Sequence, residues 1–240
     1  MSNSEIGLRI DLGCGSAKKE GTVGVDVQPF PGVDYVVDIE ANPLPFKDRS
    51  AVYVHSSHFL EHAVNPTRIF AEISRISADN ARLELWTPYG WSNSAFILDH
   101  KTFLTEDIYL HMCVWFVDFW EKILNARWIL NEFQYVVDPR TLCYLKANQL
   151  TLDFALRHLH NIAKEFCAHI TVVRGDSSVS SPAIRRTFST GRFEPRYLVR
   201  PDKFAQRYEV MEAESFDTDT RNMVDKALRA FAEGKALPPL

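Results

Sequence analysis

The sequence predicts an α/β fold built on a mostly parallel sheet. Short apolar runs, many of them β-branched, recur at residues 8–12, 22–27, 35–38, 51–55 and 82–87. Such runs are typical of buried parallel strands. A helix-length segment separates the fourth run from the fifth, which favours a right-handed strand–helix–strand crossover. The 240 residues fit one domain of ordinary size with a tail.

The crossover helix has recognisable start and stop signals. Asn65 is a candidate N-cap and Pro66 occupies the first helical position. One apolar stripe follows at helical spacing, formed by Ile69, Phe70, Ile73 and Ile76. Turn residues at 79–80 end the segment before the fifth strand.

A glycine turn follows the first strand and an aspartate ends the second. Gly13 and Gly15 allow the main chain to approach a ligand closely, because glycine has no Cβ. Asp26 places two acceptor oxygens where a ribose diol would lie in a nucleotide-binding crevice. A nicotinamide dinucleotide site would need a third glycine where this chain has Lys18, and a helix where only residues 16–21 are available.

Four motifs occur in order along the first 62 residues. They are Leu-Gly-Cys-Gly at 12–15, a glycine and aspartate at Gly21 and Asp26, Leu-Pro-Phe-Lys-Asp-Arg-Ser at 44–50, and Ser-His-Phe-Leu-Glu-His at 57–62. The set resembles a compact subgroup of the class I S-adenosylmethionine-dependent methyltransferases. The chain departs from that pattern at Val52, where the subgroup usually has aspartate.

The resemblance implies a Rossmann-like, doubly wound, mostly parallel seven-stranded sheet with an antiparallel edge strand. The later strands are predicted at 128–137 and 169–174, with one or two helices over 141–166. The methyltransferase domain would span residues 1–200, with the substrate side at 91–168. Residues 201–240 would form a tail with a peripheral helix at 217–232.

The resemblance also implies the residues that hold S-adenosylmethionine. Asp11 is expected at the ammonium group, directly or through water, Asp26 at the ribose hydroxyls, and Asp38 at the adenine amino group. The remaining cofactor contacts are expected from the glycine turn, the two apolar side chains beside the adenine and the serines that end the fourth strand: Leu12, Gly13, Gly15, Val27, Ile39, Ser56 and Ser57.

Histidines and a glutamate follow the fourth strand at helical spacing. His58, Glu61 and His62 would share one face of a helical turn. His62 or His100 is the candidate general base for a hydroxyl acceptor, with Glu61 or Asp99 orienting it. These residues can also serve a purely structural purpose by fixing the start of the helix.

A divalent metal is the second interpretation of these side chains. The pattern is similar to the Glu-x-x-Glu-His motif, with a later histidine, of certain metal-dependent methyltransferases. Here the four candidate ligands are His58, Glu61, His62 and His100. Because imidazole replaces the first carboxylate, the set suits a transition metal better than magnesium.

Composition limits the classes of partner and compartment. The net charge of −4 does not favour nucleic-acid binding, and no apolar run is long enough to span a bilayer. The four scattered cysteines and the polar first ten residues predict a cytoplasmic protein. An aromatic cluster at 114–120 would form part of the core, an acceptor pocket or a homodimer face. The arginines at 174–200 would bind an anion or lie in solvent.

The predicted function is methyl transfer from S-adenosylmethionine to a small-molecule acceptor. A hydroxyl of a sugar, a polysaccharide precursor or a secondary metabolite is preferred, because the histidines can supply a base. Two alternatives remain: an amine acceptor, and a non-catalytic protein that binds the cofactor or acts as a scaffold.

Overall fold

Eight strands form one sheet in the computed structural model, which describes residues 7–192. Their order across the sheet is β3-β2-β1-β4-β5-β7-β6-β8. The strands are β1 (Leu8–Leu12), β2 (Val23–Asp26), β3 (Tyr35–Val36), β4 (Ala51–Ser57), β5 (Ser77–Pro88), β6 (Arg127–Val137), β7 (Ala163–Val173) and β8 (Arg185–Ser189).

Five α-helices accompany the sheet in the described part of the chain. They are α1 (Pro66–Ile76), α2 (Glu106–Leu110), α3 (Val117–Leu124), α4 (Pro139–Ala147) and α5 (Leu152–His158). A 3-10 turn at Leu60–His62 follows β4, a second one lies at Asn93–Phe96, and a π-helical turn at His111–Trp115 joins α2 to α3.

The mostly parallel α/β architecture is confirmed, and the antiparallel strand lies inside the sheet. β7 runs antiparallel to both of its neighbours, β5 and β6. The neighbouring pairs that do not include β7 are parallel. The edge next to β6 is occupied by β8, a strand that the sequence did not predict. The predicted helical segment 141–166 ends at His158, because residues from Ala163 onward already pair in β7.

Helix α1 begins as predicted and builds the core on one face of the sheet, but it ends at Ile76, and the turn predicted at 79–80 lies within β5. Asn65 caps it by accepting the Arg68 backbone N–H, and all four residues of the apolar stripe are buried. Phe70 packs on Trp128 of β6, with ring centroids 5.7 Å apart. The Ser74 hydroxyl donates to the Leu124 carbonyl, which ties α1 to the end of α3.

The short link at 16–21 forms turns instead of a helix. It is anchored on the face of the sheet opposite to α1. The Lys19 backbone N–H donates to Asp11, 2.8 Å away, and the Lys19 ammonium donates to Glu84, 2.9 Å away. Glu84 also accepts hydrogen bonds from Tyr53 and from the Trp86 indole. These bonds hold the link against β1 and β5, so no helix is needed to connect β1 with β2.

We expect Glu84→Gln to destabilise the fold in a pH-dependent way. Burial would raise the pKa of Glu84, but hydrogen bonds from Tyr53, Lys19 and Trp86 outweigh burial and lower the pKa from 4.5 to about 2. The unfolded chain therefore binds more protons between these values. The stabilisation is complete above pH 4.5 and is lost as the pH falls toward 2.

The lost stability should be about 2–3 kcal/mol at pH 7, measured by urea unfolding. The difference between wild type and Glu84→Gln should shrink as the pH is lowered below 4.5. Glu20→Gln, an exposed glutamate of the same link, is the matched control. An equal loss for both variants, or a Glu84→Gln loss independent of pH, would contradict the assignment.

Candidate functional site at the carboxyl ends of the parallel strands

The two glycines of the turn after β1 differ in what surrounds them. Both have left-handed backbones, with φ of +64° at Gly13 and +54° at Gly15. A Cβ on Gly13 would lie 2.4 Å from the Phe59 side chain, so this glycine is required by packing. A Cβ on Gly15 would meet no atom within 4 Å, so this turn opens to free space. The open surface that a ligand needs is at Gly15.

Asp26 lies beside that open surface at the end of β2. Its Oδ2 accepts the Gly15 N–H and its Oδ1 accepts the Gln28 N–H, each at 2.9 Å. The side chain is partly exposed, and each carboxylate oxygen keeps a second lone pair. The arrangement fits a ribose diol, because two fixed acceptors face open space next to a glycine.

The residues expected around the adenine divide into exposed and buried ones. Val27 is 55% exposed and Asp38 is exposed, so both are accessible to a ligand. One oxygen of Asp38 accepts the Glu40 N–H. Ile39 and Leu12 are 6% and 1% exposed and belong to the hydrophobic core. This burial corrects the expectation that the Ile39 side chain packs on the adenine ring and leaves only Val27 for that contact.

Asp11 is enclosed by contacts within the protein. It is fully buried, and its Oδ1 lies 2.6 Å from His55 Nδ1. Its Oδ2 accepts the Lys19 N–H. Through these contacts Asp11 anchors the link between β1 and β2, and its contact with the ammonium group, directly or through water, stays a prediction.

The two serines that end β4 have different surroundings. Both are fully buried. The Ser57 hydroxyl accepts a hydrogen bond from Arg192 Nη2 at 2.8 Å. The Ser56 hydroxyl has no hydrogen-bond partner within residues 7–192. Of the two predicted cofactor contacts, Ser56 therefore has the unused hydroxyl.

Glu61 is a buried carboxylate in the 3-10 turn after β4. It is 2% exposed, and its Oε2 has no hydrogen-bond partner among the described residues. Its backbone carbonyl accepts the N–H groups of Lys101 and Thr102, at 2.7 and 3.0 Å. These bonds hold the loop after β5 against the turn after β4. The segments that carry the two candidate bases, His62 and His100, are thus brought together.

The same contact places His62 beside His100. Their ring centroids lie 4.9 Å apart in an edge-to-face arrangement. His62 Nδ1 lies 3.2 Å from Asp99 Oδ2, which orients the ring as predicted for one of the two candidate bases. His100 Nδ1 lies 3.2 Å from the Ala95 carbonyl, which leaves its other ring nitrogen available.

Three of the four predicted metal ligands come together. Glu61, His62 and His100 each offer one ligand atom, and these atoms lie within 4.8 Å of one another. A set of one carboxylate and two imidazoles is suited to a transition metal. His58 does not belong to this set of three: its Nε2 lies 2.7 Å from Glu165 Oε2, and its Nδ1 lies 3.1 Å from Glu61 Oε1.

Sequence reasoning missed Glu165 at this edge, and it placed Arg192 only within the general set of arginines at 174–200. Glu165 lies near the start of β7 and is 6% exposed. Arg192 follows β8, lies 3.0 Å from Glu165 Oε2 and stacks 3.9 Å above the Trp86 ring. No local motif marks either residue, because their contacts with Ser57 and His58 span more than 100 positions.

Each arginine between residues 174 and 192 makes hydrogen bonds or ion pairs within the protein. Arg174 donates to the backbone carbonyls of Ser77 and Asn125. Arg185 pairs with Glu132, and Arg186 pairs with Asp153 at 2.8 Å. These contacts use the arginines in hydrogen bonds and ion pairs of the protein, and anion binding by this region stays a prediction. Arg196 and Arg200 lie outside the described residues, as does the predicted tail helix at 217–232.

The aromatic cluster at 114–120 is largely exposed. Trp115, Phe116 and Phe119 are each more than half exposed. Trp115 ends the π-helical turn, Phe116 is the N-cap of α3, and Phe119 lies on α3. Only Trp120 is half-buried, and its indole N–H donates to His111 Nδ1 at 2.8 Å. The cluster is therefore not core, and the pocket and dimer interpretations remain.

Part of the chain is similar to a known protein family. Residues 17–84 match the family model of a methyltransferase domain. The match confirms the predicted resemblance to class I S-adenosylmethionine-dependent methyltransferases, an enzyme activity and S-adenosylmethionine as the cofactor. No curated protein matches the chain.

Several solved methyltransferases show partial structural similarity to this chain. An S-adenosylmethionine-dependent methyltransferase from Archaeoglobus fulgidus is 17% identical with a TM-score of 0.48, covering 69% of this chain and 86% of that one. A putative methyltransferase from Haloferax volcanii, in complex with the Trm112 activator, is 16% identical with a TM-score of 0.45, covering 71% and 83%. A possible histamine N-methyltransferase from Thermotoga maritima is 17% identical with a TM-score of 0.44, covering 70% and 83%. Likenesses this distant do not bear on the acceptor or partner of this chain.

Proposed function

We propose that this protein transfers a methyl group from S-adenosylmethionine to a hydroxyl of a small molecule, such as a sugar, a polysaccharide precursor or a secondary metabolite. The observation that carries the proposal is the Glu61–His62–His100 cluster at the same strand edge as Gly15 and Asp26. A hydroxyl acceptor must lose a proton, and a histidine beside a carboxylate is suited to taking it near neutral pH.

The cofactor side of the proposal rests on the open turn and its neighbours. When bound, S-adenosylmethionine supplies an electrophilic methyl group on a sulfonium. Asp26 would accept from the ribose hydroxyls, and Gly15 leaves room for the ligand because it has no Cβ. Val27 would cover one face of the adenine, Asp38 would accept from its amino group, and the unused Ser56 hydroxyl would lie on the sulfonium side.

On the acceptor side, His62 and His100 are the candidate bases. Asp99 orients His62, and Glu61 lies buried beside both imidazoles. Holding the acceptor oxygen and the methyl donor in line accounts for much of the rate in such a displacement. The base contributes by removing the proton as the new bond forms, and the buried carboxylate stabilises the imidazolium that results.

Two further assignments are part of the proposal. The exposed rings of Trp115, Phe116 and Phe119 would form a homodimer face, since apolar patches of this kind often mark interfaces. None of the helices in residues 7–192 has the length and apolar character to cross a membrane. A cytoplasmic location, a domain over 1–200 with its substrate side at 91–168, and a tail over 201–240 complete the proposal.

The proposed function is tested by methyl transfer from S-adenosylmethionine labelled in its methyl group. Panels of sugar, phenol and aliphatic hydroxyl acceptors are compared with matched amines. We expect labelled product from at least one hydroxyl class. Transfer to amines alone would contradict the hydroxyl assignment. Cofactor binding without transfer to either panel would favour the non-catalytic alternative.

A further inference from the structure

The two faces of the sheet differ in what covers them. Side chains alternate between the faces along a strand, so Ile10 and Leu83 point toward α1, whereas Arg9 and Arg82 point to the face opposite to α1. Each of the five helices contributes buried apolar residues to the main core. The buried cluster on the opposite face contains no helical residue and consists of Trp86, Val136 and Cys167. Because parallel sheets normally have both faces covered, the face opposite to α1 needs a further covering segment.

The part of this face formed by β1, β4 and β5 carries positive charge. Arg9, Tyr53 and Arg82 lie side by side in register on the three strands. The Arg9 guanidinium lies 4.2 Å above the Tyr53 ring, and the Lys19 ammonium lies 5.5 Å from the same ring. Arg9 and Arg82 are exposed, and neither forms an ion pair within residues 7–192. An open cavity of about 520 Å³ is lined here by Arg9, Lys19, Val52, Tyr53, Asn80 and Arg82. The two guanidinium charges are therefore available to an anionic partner.

The chain itself leads onto this face of the sheet. Arg192, the last described residue, lies 3.9 Å above the Trp86 ring, and Trp86 lies four positions beyond Arg82 on β5. At about 3.3 Å per residue, these four positions correspond to roughly 13 Å along the strand. The 15 residues at 193–207 can span up to about 50 Å. The segment that follows them is therefore within reach of the cavity beside Arg82.

The segment at 208–220 has the complementary charge. Its sequence is Tyr-Glu-Val-Met-Glu-Ala-Glu-Ser-Phe-Asp-Thr-Asp-Thr, which contains five carboxylates and no lysine, arginine or histidine. Opposite charges favour the encounter of two surfaces and fix how they meet. A segment tethered to the same chain also has a high effective concentration at the face, so a contact that is weak between separate molecules suffices.

We propose that residues 208–220 of the same chain dock on the positively charged face formed by Arg9, Lys19, Tyr53 and Arg82. The carboxylates of the segment pair with the guanidinium groups of Arg9 and Arg82. The docked segment covers a part of the sheet for which the short link at 16–21 supplies no helix. The inference concerns a surface away from the candidate cofactor and acceptor residues, and it does not depend on the proposed methyl transfer.

The first test measures the proximity of the segment to the face in the full chain. A nitroxide label on Ser215→Cys reports on its surroundings, and the four native cysteines are buried and so protected from labelling. The amide signals of Arg9, Tyr53 and Arg82 should lose more than half of their intensity through paramagnetic broadening. The signal of Lys122, on α3 at the other side of the sheet, should keep its intensity. Full intensity at Arg9, Tyr53 and Arg82 would overturn the inference.

A mixed sample separates this segment from a second copy of the chain. Nitrogen-15-labelled protein without a nitroxide is combined with unlabelled protein that carries the nitroxide on Ser215→Cys. The inference predicts no broadening at Arg9, Tyr53 or Arg82 in this mixture, because the contact lies within one chain. Broadening as strong as in the singly labelled sample would assign the face to a second copy and would overturn the inference.

The second test examines the role of charge in the contact. Arg82→Glu should remove most of the broadening, and replacing Glu209, Glu212 and Glu214 with lysine in the same protein should restore it. Lys122→Glu makes the same charge change at an exposed residue of α3 and should leave the broadening unchanged. Equal broadening for Arg82→Glu and Lys122→Glu would overturn the ionic contact.

The salt dependence of the broadening needs no charge substitution, so it decides the matter even if Arg82→Glu fails to fold. At an ionic strength of about 1 M the screening length falls to about 3 Å, and exposed ion pairs are weakened. Broadening at Arg9 and Arg82 should therefore decrease by at least half between low salt and about 1 M salt. Broadening that is independent of salt would contradict the proposal.

Discussion

Asp26→Asn is expected to weaken the binding of S-adenosylhomocysteine about 100-fold. The substitution removes the negative charge and replaces one acceptor oxygen with an amide N–H₂ group, while the size of the side chain stays the same. A hydrogen bond to a charged group contributes roughly 1.5–3 kcal/mol, and about 2.7 kcal/mol corresponds to a factor of 100 in the dissociation constant. Titration calorimetry of the wild type and the variant measures this difference.

Asp34→Asn is the matched control for this prediction. Asp34 supports the same region, because its Oδ2 accepts the Gly24 N–H at 2.7 Å and pairs with Lys18. It has no place in the proposed ribose contact. Its substitution should change the affinity by no more than about threefold. Similar losses for the two variants would mean that Asp26 acts only by holding the turn, and the ribose assignment would then be wrong.

His62→Ala and His100→Ala are expected to have the second large effect. Loss of a general base typically lowers the rate by about 10²- to 10⁴-fold. We expect the variant that lacks the true base to show this loss in kcat, and the other to lose about tenfold because the two rings pack together. Affinity for S-adenosylhomocysteine should stay within about twofold for both variants, since neither ring lies at the ribose or adenine positions.

His160→Ala provides the control for these histidines. His160 is exposed, and its Nε2 lies 2.9 Å from the Asn93 side chain near the same loop. It should keep nearly full activity. A chelator should leave the wild-type rate unchanged if the imidazoles act as bases. A rate abolished by chelation and restored by manganese would instead assign Glu61, His62 and His100 to a cation and would contradict the base mechanism.

The sequence predicted the parts of this fold that depend on residues close to one another in the chain. Helix α1 begins at Pro66 after an Asn65 cap because both signals act within one turn of the chain. Strand β1 matched its prediction because a short apolar run of consecutive residues is enough to indicate a buried strand. The turn at Gly15 and the aspartate at Asp26 were found for the same reason, since they are only eleven positions apart in the chain.

The features that the sequence did not reveal depend on tertiary contacts. Asp11 is adjacent to the glycine motif, yet its carboxylate is enclosed by His55 and Lys19, and burial of this kind cannot be derived from spacing. The position of β7 between β5 and β6 depends on pairing across the sheet. The contacts of Glu165 and Arg192 with the segment after β4 join residues far apart in the chain, and no periodic pattern marks them.

A crystal structure of the protein with S-adenosylhomocysteine tests the central claim most directly. The account predicts the ribose hydroxyls on Asp26, the ligand over Gly15, and the thioether sulfur facing the side on which Glu61, His62 and His100 lie. A ligand bound at this edge with its sulfur facing away from these three side chains, or a ribose without contact to Asp26, would contradict the account.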